Sequence, residues 1–166
     1  MITPEYCRLM ARYNAWQNDG LRGMVGGMDR ETLLHDRGAF WGSIMGTLNH
    51  LLWADLMWIS RLDGEEGTDV RLKGSPDFTP TPAVWAAERF RMDARIRLWA
   101  DAVHALDLVG DLAWYSGAAG REITKPKALC VIQMFNHQTH HRGQVHQMLT
   151  SLGLKPGDTD LPFMPE

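Results

Sequence analysis

The sequence predicts an all-α fold: a single-domain antiparallel four-helix bundle spanning residues 1–166. Three observations predict it. Four long runs carry apolar residues at three- and four-residue spacing, the period of one helix face. The intervals between them collect the glycines and prolines that punctuate such runs. The chain is 45% hydrophobic over 166 residues, enough to close one core without disulfide staples.

The first run extends from Pro4 to about Met24, with Leu9, Met10, Tyr13, Trp16 and Leu21 as its apolar positions. Thr3 is placed as N-cap, and Pro4 suits the first turn, where its missing N–H costs nothing. Gly26 and Gly27 stop this helix, and a linker through Phe40 to Gly42 leads to Ser43, the cap of a second run from Ile44 to about Leu62. Asp63 to Pro82 holds three glycines and three prolines and reads as a long surface connection. A third helix from Ala83 to about Leu108 carries a stripe of Trp85, Met92, Ile96, Trp99, Val103 and Leu106. Between Leu108 and Lys125, Trp114, Tyr115, Ile123 and Thr124 flank Ser-Gly-Ala-Ala-Gly, which fits either a short hairpin or an irregular connection. The fourth helix runs from Pro126 to about Leu152, with Gly153 where a C-terminal cap belongs, and residues 154–166 form an extended tail.

Composition excludes several classes. A formal charge of -3, with basic residues scattered among acidic ones, provides no field to concentrate nucleic acid. The most apolar stretch, Leu48 to Ile59, is interrupted by His50 and Asp55 and is too short to cross a membrane. Cys7 and Cys130 match no paired-ligand spacing, and the opening residues lack a basic segment followed by an apolar run. A reducing, cytoplasmic setting is the expectation.

The informative residues are histidines. The inward stripe of the fourth helix is expected to be Cys130, Met134, His137, His141, Val145, Met148 and Leu152, so two imidazoles interrupt an apolar face. An i, i+4 pair is offset by only about 40°, and both rings can reach one ion. Neutral imidazole binds zinc, nickel, copper or iron at ordinary pH. His140 and His146 fall on other faces, and His35 and His104 lie outside any such arrangement. A third ligand must come from another helix. His50 shares a face of the second helix with Gly46, Thr47, Ala54 and Met57, small neighbours that leave room for a site. Three histidines leave a coordination position open, as catalytic metals require. Spacing alone does not choose between this reading and core histidines satisfied by polar partners. A zinc-protease reading fails, because Gln138 stands where the general-base glutamate would be.

The segments Leu48-Asn49-His50-Leu51-Leu52-Trp53-Ala54-Asp55 with Trp58, and Phe135-Asn136-His137-Gln138-Thr139-His140-His141-Arg142-Gly143-Gln144, resemble the two signature segments of the DinB/YfiT-like family of metalloenzymes. Tyr13 to Trp16 resembles that family's opening, and Gly153-Leu154-Lys155-Pro156 with Asp160-Leu161-Pro162 resembles its close. The resemblance implies an antiparallel four-helix bundle, often dimeric, with zinc, nickel or a similar ion (iron among them) on His50, His137 and His141. It also implies a range of activities, including transferases and isomerases that use a low-molecular-weight thiol. The expected function is therefore a metal-dependent enzyme acting on a small electrophilic molecule by thiol-dependent transfer, isomerisation or hydrolysis. The alternative is a non-catalytic bundle in which the metal has a structural or sensing role. The expected partners are a small-molecule substrate and a second copy of the chain.

Around this centre, Asp55 lies on a stripe with Leu48, Leu51, Ile59 and Leu62, and can orient a ligand or pair with a base such as Arg142. Gln144 is a second candidate to orient a ligand. For both, a structural hydrogen bond or ion pair is the commoner role. Trp53, Trp58, Trp85 and Trp99 read as core. Gly143, inside a strong helix, suggests a neighbour approaching closely there.

Overall fold

The computed structural model describes residues 1–117 and 119–166. Its frame is a four-helix bundle built from α1 (Pro4–Gly26), α3 (Ile44–Asp63), α4 (Pro82–Ala102) and α5 (Lys127–Ser151). A five-residue helix, α2 (Arg30–Leu34), sits in the first linker. An antiparallel hairpin of β1 (Asp111–Ser116) and β2 (Arg121–Pro126) precedes α5, with Trp114 opposite Ile123. The hairpin resolves the stretch for which two readings were open.

Helix boundaries follow the local chemistry. The hydroxyls of Thr3, Ser43 and Thr81 each accept a hydrogen bond from a first-turn N–H, and proline stands in the first turn of α1 and α4. Pro126, expected to open the last helix, instead ends β2 and caps α5. Gly153 adopts φ +77, and the N–H of Leu154 returns to the Leu149 carbonyl, closing α5 with a left-handed cap. The third helix ends at Ala102, earlier than its apolar pattern suggested. Val103 is extended, and a 3-10 turn at Ala105–Leu108 leaves Leu106 exposed.

The packing order around the bundle is α1, α4, α3, α5. Asn18 meets Asp93 and Arg22 meets Ala86, so α1 and α4 are antiparallel; His50 meets His137 while Arg61 lies near Cys130, so α3 and α5 are too. Leu48 with Trp85, and Asp55 with Arg89, show α3 and α4 running the same way. The order up, down, down, up requires the chain to travel back along the bundle between α3 and α4. Residues 64–81 do this, with the Trp53 indole N–H donating to the Val70 carbonyl and the Asn49 amide donating to that of Pro76. That connection is not purely irregular, since Leu72–Asp77 forms a 3-10 helix.

The core is centred on Leu33, Ile44, Leu48, Leu52, Ile59, Trp85, Ile96, Met134, Phe135 and Leu149. Two apolar stripes need correction. In α1 the buried positions are Cys7, Ala11, Tyr13, Asn14, Asn18, Leu21 and Val25, which include the expected Tyr13 and Leu21, while Leu9 is exposed. In the last helix Leu152 lies beyond the final turn and is exposed. Residues 154–166 lie along α1, where Arg12, Tyr13 and Gln17 donate to the carbonyls of Pro165, Thr159 and Asp158. Among the described residues, no helix is long and apolar enough to cross a membrane.

Candidate metal centre

His50 comes from the first half of α3, which is buried on nearly every side, and His137 and His141 come from the middle of α5. The antiparallel contact of α3 and α5 brings the three rings together. One ligand nitrogen from each lies within 4.8 Å of the other two, and the Nε2 atoms of His50 and His137 are 3.2 Å apart. His50 and His141 are buried, and His137 is half-buried.

The outer edges of the rings fix which nitrogen faces inward. Gln144 Oε1 accepts from Nδ1–H of His141 at 2.7 Å, which leaves Nε2 of that ring as a lone pair. The Gln144 amide N–H in turn faces Nε2 of the exposed His140 at 3.5 Å. On the other side, Nδ1 of His50 meets the buried Ser75 hydroxyl at 2.8 Å, which orients Nε2 of His50 inward. His137 has no such partner: its buried Nδ1 lacks any hydrogen bond.

The surroundings keep these imidazoles uncharged. Burial, reinforced by the neighbouring rings, pushes His50 down to about 3 and His137 down to about 4; burial also lowers His141. Trp41 stacks on His50 with centroids 3.9 Å apart, and Trp53 lies on the same ring at 5.7 Å. Gly46 permits the first of these contacts, because a Cβ there would strike the Trp41 carbonyl oxygen.

The donor set fits a divalent transition ion. Two Nε2 atoms 3.2 Å apart require a proton or a cation between them. Four nitrogens around zinc at its usual bond length are about 3.3 Å apart. No Asp, Glu or Cys joins the three histidines among the described residues.

Beside this centre lies a buried ionic network. Asp55 accepts from Arg89 Nη1 at 2.6 Å and from the Gln138 amide, and Arg142 donates to Gln138 Oε1 at 2.9 Å. Arg89 also pairs with Asp93 at 2.8 Å, and Asp93 accepts from Asn18. All four bundle helices contribute. Asp55 thus pairs with Arg89, and Arg142 reaches it only through Gln138; its part is structural. Burial raises the Asp55 carboxyl against the pull of Arg89, while desolvation brings Arg142 down to about 10.

Other expected residues fall elsewhere. His35 and His104 are exposed, and His146 is half-buried away from the centre. Trp85 is core, but Trp53, Trp58 and Trp99 are half-buried, and the first two line a cavity. Gly143 is exposed, with no atom of this chain within 4 Å of where a Cβ would stand, so the expected close neighbour is not within the bundle. Sequence patterning missed Trp41, Ser75, Gln138 and Arg89. The first two lie in linkers without periodicity, and the last two sit at inward positions of their helices but, being polar, add nothing to an apolar pattern.

No curated protein matches the chain. Among solved structures, it is similar to YfiT from Bacillus subtilis, described as "a probable metal-dependent hydrolase with an unusual four-helix bundle topology". The TM-score is 0.68 at 16% sequence identity, over 93% of this chain and 92% of that one, a likeness that shows the fold. The model of the DinB family matches residues 1–166, and the chain belongs to the DinB family.

Proposed function

We propose that this protein is a metal-dependent enzyme that holds one divalent transition ion, zinc or nickel, on His50, His137 and His141 and acts on a small molecule. The observation that carries the reading is the convergence of three neutral imidazoles, with no fourth protein donor among the described residues. The description of YfiT as a probable metal-dependent hydrolase supports it. Three protein ligands leave an open position, the arrangement of catalytic rather than closed structural sites.

The bound ion would supply Lewis acidity, lowering at neutral pH the pKa of a water or a low-molecular-weight thiol that approaches it. The chain's own residues do the rest. Ser75 orients His50 with Nε2 inward, and Gln144, whose oxygen can only accept, holds His141 in the tautomer that presents Nε2. Burial keeps the imidazoles uncharged at neutral pH, so each retains one nitrogen lone pair for a metal. Trp41 fixes the plane of His50 by stacking. The activity proposed is hydrolysis, or thiol-dependent transfer or isomerisation of an electrophile, and the test below separates these.

Elemental analysis of untagged protein should find about one zinc or nickel per chain, and none in His137→Ala or His141→Ala. The native protein, screened against ester, amide and electrophilic substrates with and without added thiols, should show turnover that disappears in both variants. Turnover that survives loss of the metal would overturn the reading. Stoichiometric metal without any turnover would favour the non-catalytic alternative.

A further inference from the structure

A cavity of about 890 Å³ lies between the outer face of α3, residues 68–73 of the return connection and the hairpin. Its lining combines two features on a chain whose formal charge is -3. Three indoles, Trp53, Trp58 and Trp114, form apolar walls, and three cations, Arg61, Arg71 and Lys73, face the same space against one carboxylate, Asp69.

Arg61 is the notable member. Its guanidinium carbon lies 5.0 Å from the Trp58 ring centre and 5.4 Å from that of Trp114, and these two indoles meet edge to face at 5.5 Å. The side chain is half-buried, yet none of the ion pairs or side-chain hydrogen bonds among the described residues includes it. Arg89 and Arg95 of α4, by contrast, are each paired with aspartates. A guanidinium stacked on rings keeps its N–H edge free, and that planar edge matches the two oxygens of a carboxylate.

We propose that this cavity is a binding site for a small organic carboxylate with a flat apolar body. The carboxylate takes the N–H edge of Arg61, supported by Arg71 and Lys73, and the body lies against the indoles. Trp53 connects the cavity to the histidine centre, because its ring also lies on His50. Arg61 is eleven residues from His50, about 16 Å along the axis on the same face of the helix, with Trp53 standing between the cavity and His50. That this ligand is the substrate rests on the metal reading of the preceding subsection; that it binds does not.

The test uses the full chain after chelator treatment, so that no metal competes for the carboxylate. Isothermal titration calorimetry with biphenyl-4-carboxylate and with its neutral amide should show saturable binding of the acid and at least about tenfold weaker binding of the amide. Arg61→Gln should abolish that preference. Because Arg61 also braces the hairpin, Arg71→Gln/Lys73→Gln, on the exposed connection, provides a second arm and should weaken the acid several-fold. Equal binding of acid and amide, or a preference unchanged in both variants, would overturn the proposal, as would absence of saturable binding by unmodified protein. His137→Ala should bind the acid as unmodified protein does; if its binding is lost, the carboxylate is held at the histidines and the proposal fails. Failure of the metal reading would appear instead in the elemental analysis, with this binding intact.

Discussion

Acid should destabilise the metal-free protein, and the histidines set the amount. An unfolded histidine titrates near 6.5, whereas burial and neighbouring rings hold His50 at about 3 and His137 at about 4 in the folded chain. Between those values the unfolded state binds protons that the folded state refuses, so stability present above 6.5 is lost as pH falls. At pH 5 the unfolded ring lies about 1.5 pH units below its pKa while the folded ring is still neutral, which costs about 2 kcal/mol per histidine. Because His137 is only half-buried, the two together should remove about 3–4 kcal/mol, a large share of the roughly 5–15 kcal/mol that holds a typical domain together. The decline continues to about pH 4 for His137 and about 3 for His50. Urea unfolding of chelated protein at pH 7.5 and pH 5 measures it. The same pair of measurements on His50→Gln/His137→Gln subtracts every other titrating group. A difference between the two proteins below about 1 kcal/mol would refute the reasoning, since it would mean that the rings are protonated in the fold.

Three further outcomes are expected. Asp55→Ala leaves Arg89 with only Asp93 and removes the acceptor of Gln138, and should cost about 3–5 kcal/mol in urea unfolding; a loss under about 1 kcal/mol would show that the network is not closed as described. Ser75→Ala frees the outer edge of His50 and should weaken metal affinity roughly 10–100-fold in a competitive chelator titration, while unchanged affinity would remove Ser75 from the centre. Gly143→Ala meets open space on an exposed helix face and should stabilise by up to about 1 kcal/mol. A lowered melting temperature there would show that another molecule packs against that face.

The helices were legible because three of the four carry apolar stripes and sharp caps, and the histidine pair because spacing of four is a strong local signal. What the sequence concealed follows from one feature. In α1 two of the seven buried residues are Asn14 and Asn18, which sit on the stripe with Cys7, Ala11, Leu21 and Val25. Asn18 spends its amide on Asp93, whose ion pair with Arg89 continues to Asp55 and Gln138, so polar residues occupy core positions in all four helices at once. A periodicity count assigns such residues to solvent and shifts the apparent stripe toward Leu9, which is exposed. Partner choice was equally hidden: Asp55 and Arg142 are both buried, but which base reaches the carboxylate depends on the packing of α4, which no single helix encodes. The short α2 escaped notice because five residues are too few to establish a period.

The topology explains why the histidine centre has the neighbours it has. If α3 and α4 were joined by a tight turn they would be antiparallel, and nothing would cover the outer edge of His50. Because they run in the same direction, residues 64–81 must retrace α3 from its end to its beginning, passing Trp53, then His50, then Asn49. The connection therefore delivers a hydroxyl to the one ring edge that faces away from α5, and its early part, with Arg71 and Lys73, closes the cavity that holds Arg61. A segment that reads as loop by composition thus supplies both the hydroxyl that bonds the outer edge of His50 and one wall of the neighbouring cavity. Sequence changes in it should alter metal affinity and ligand preference while leaving the bundle core, to which it contributes only Ser75, Phe78 and Thr79 as packed residues, largely as stable as before.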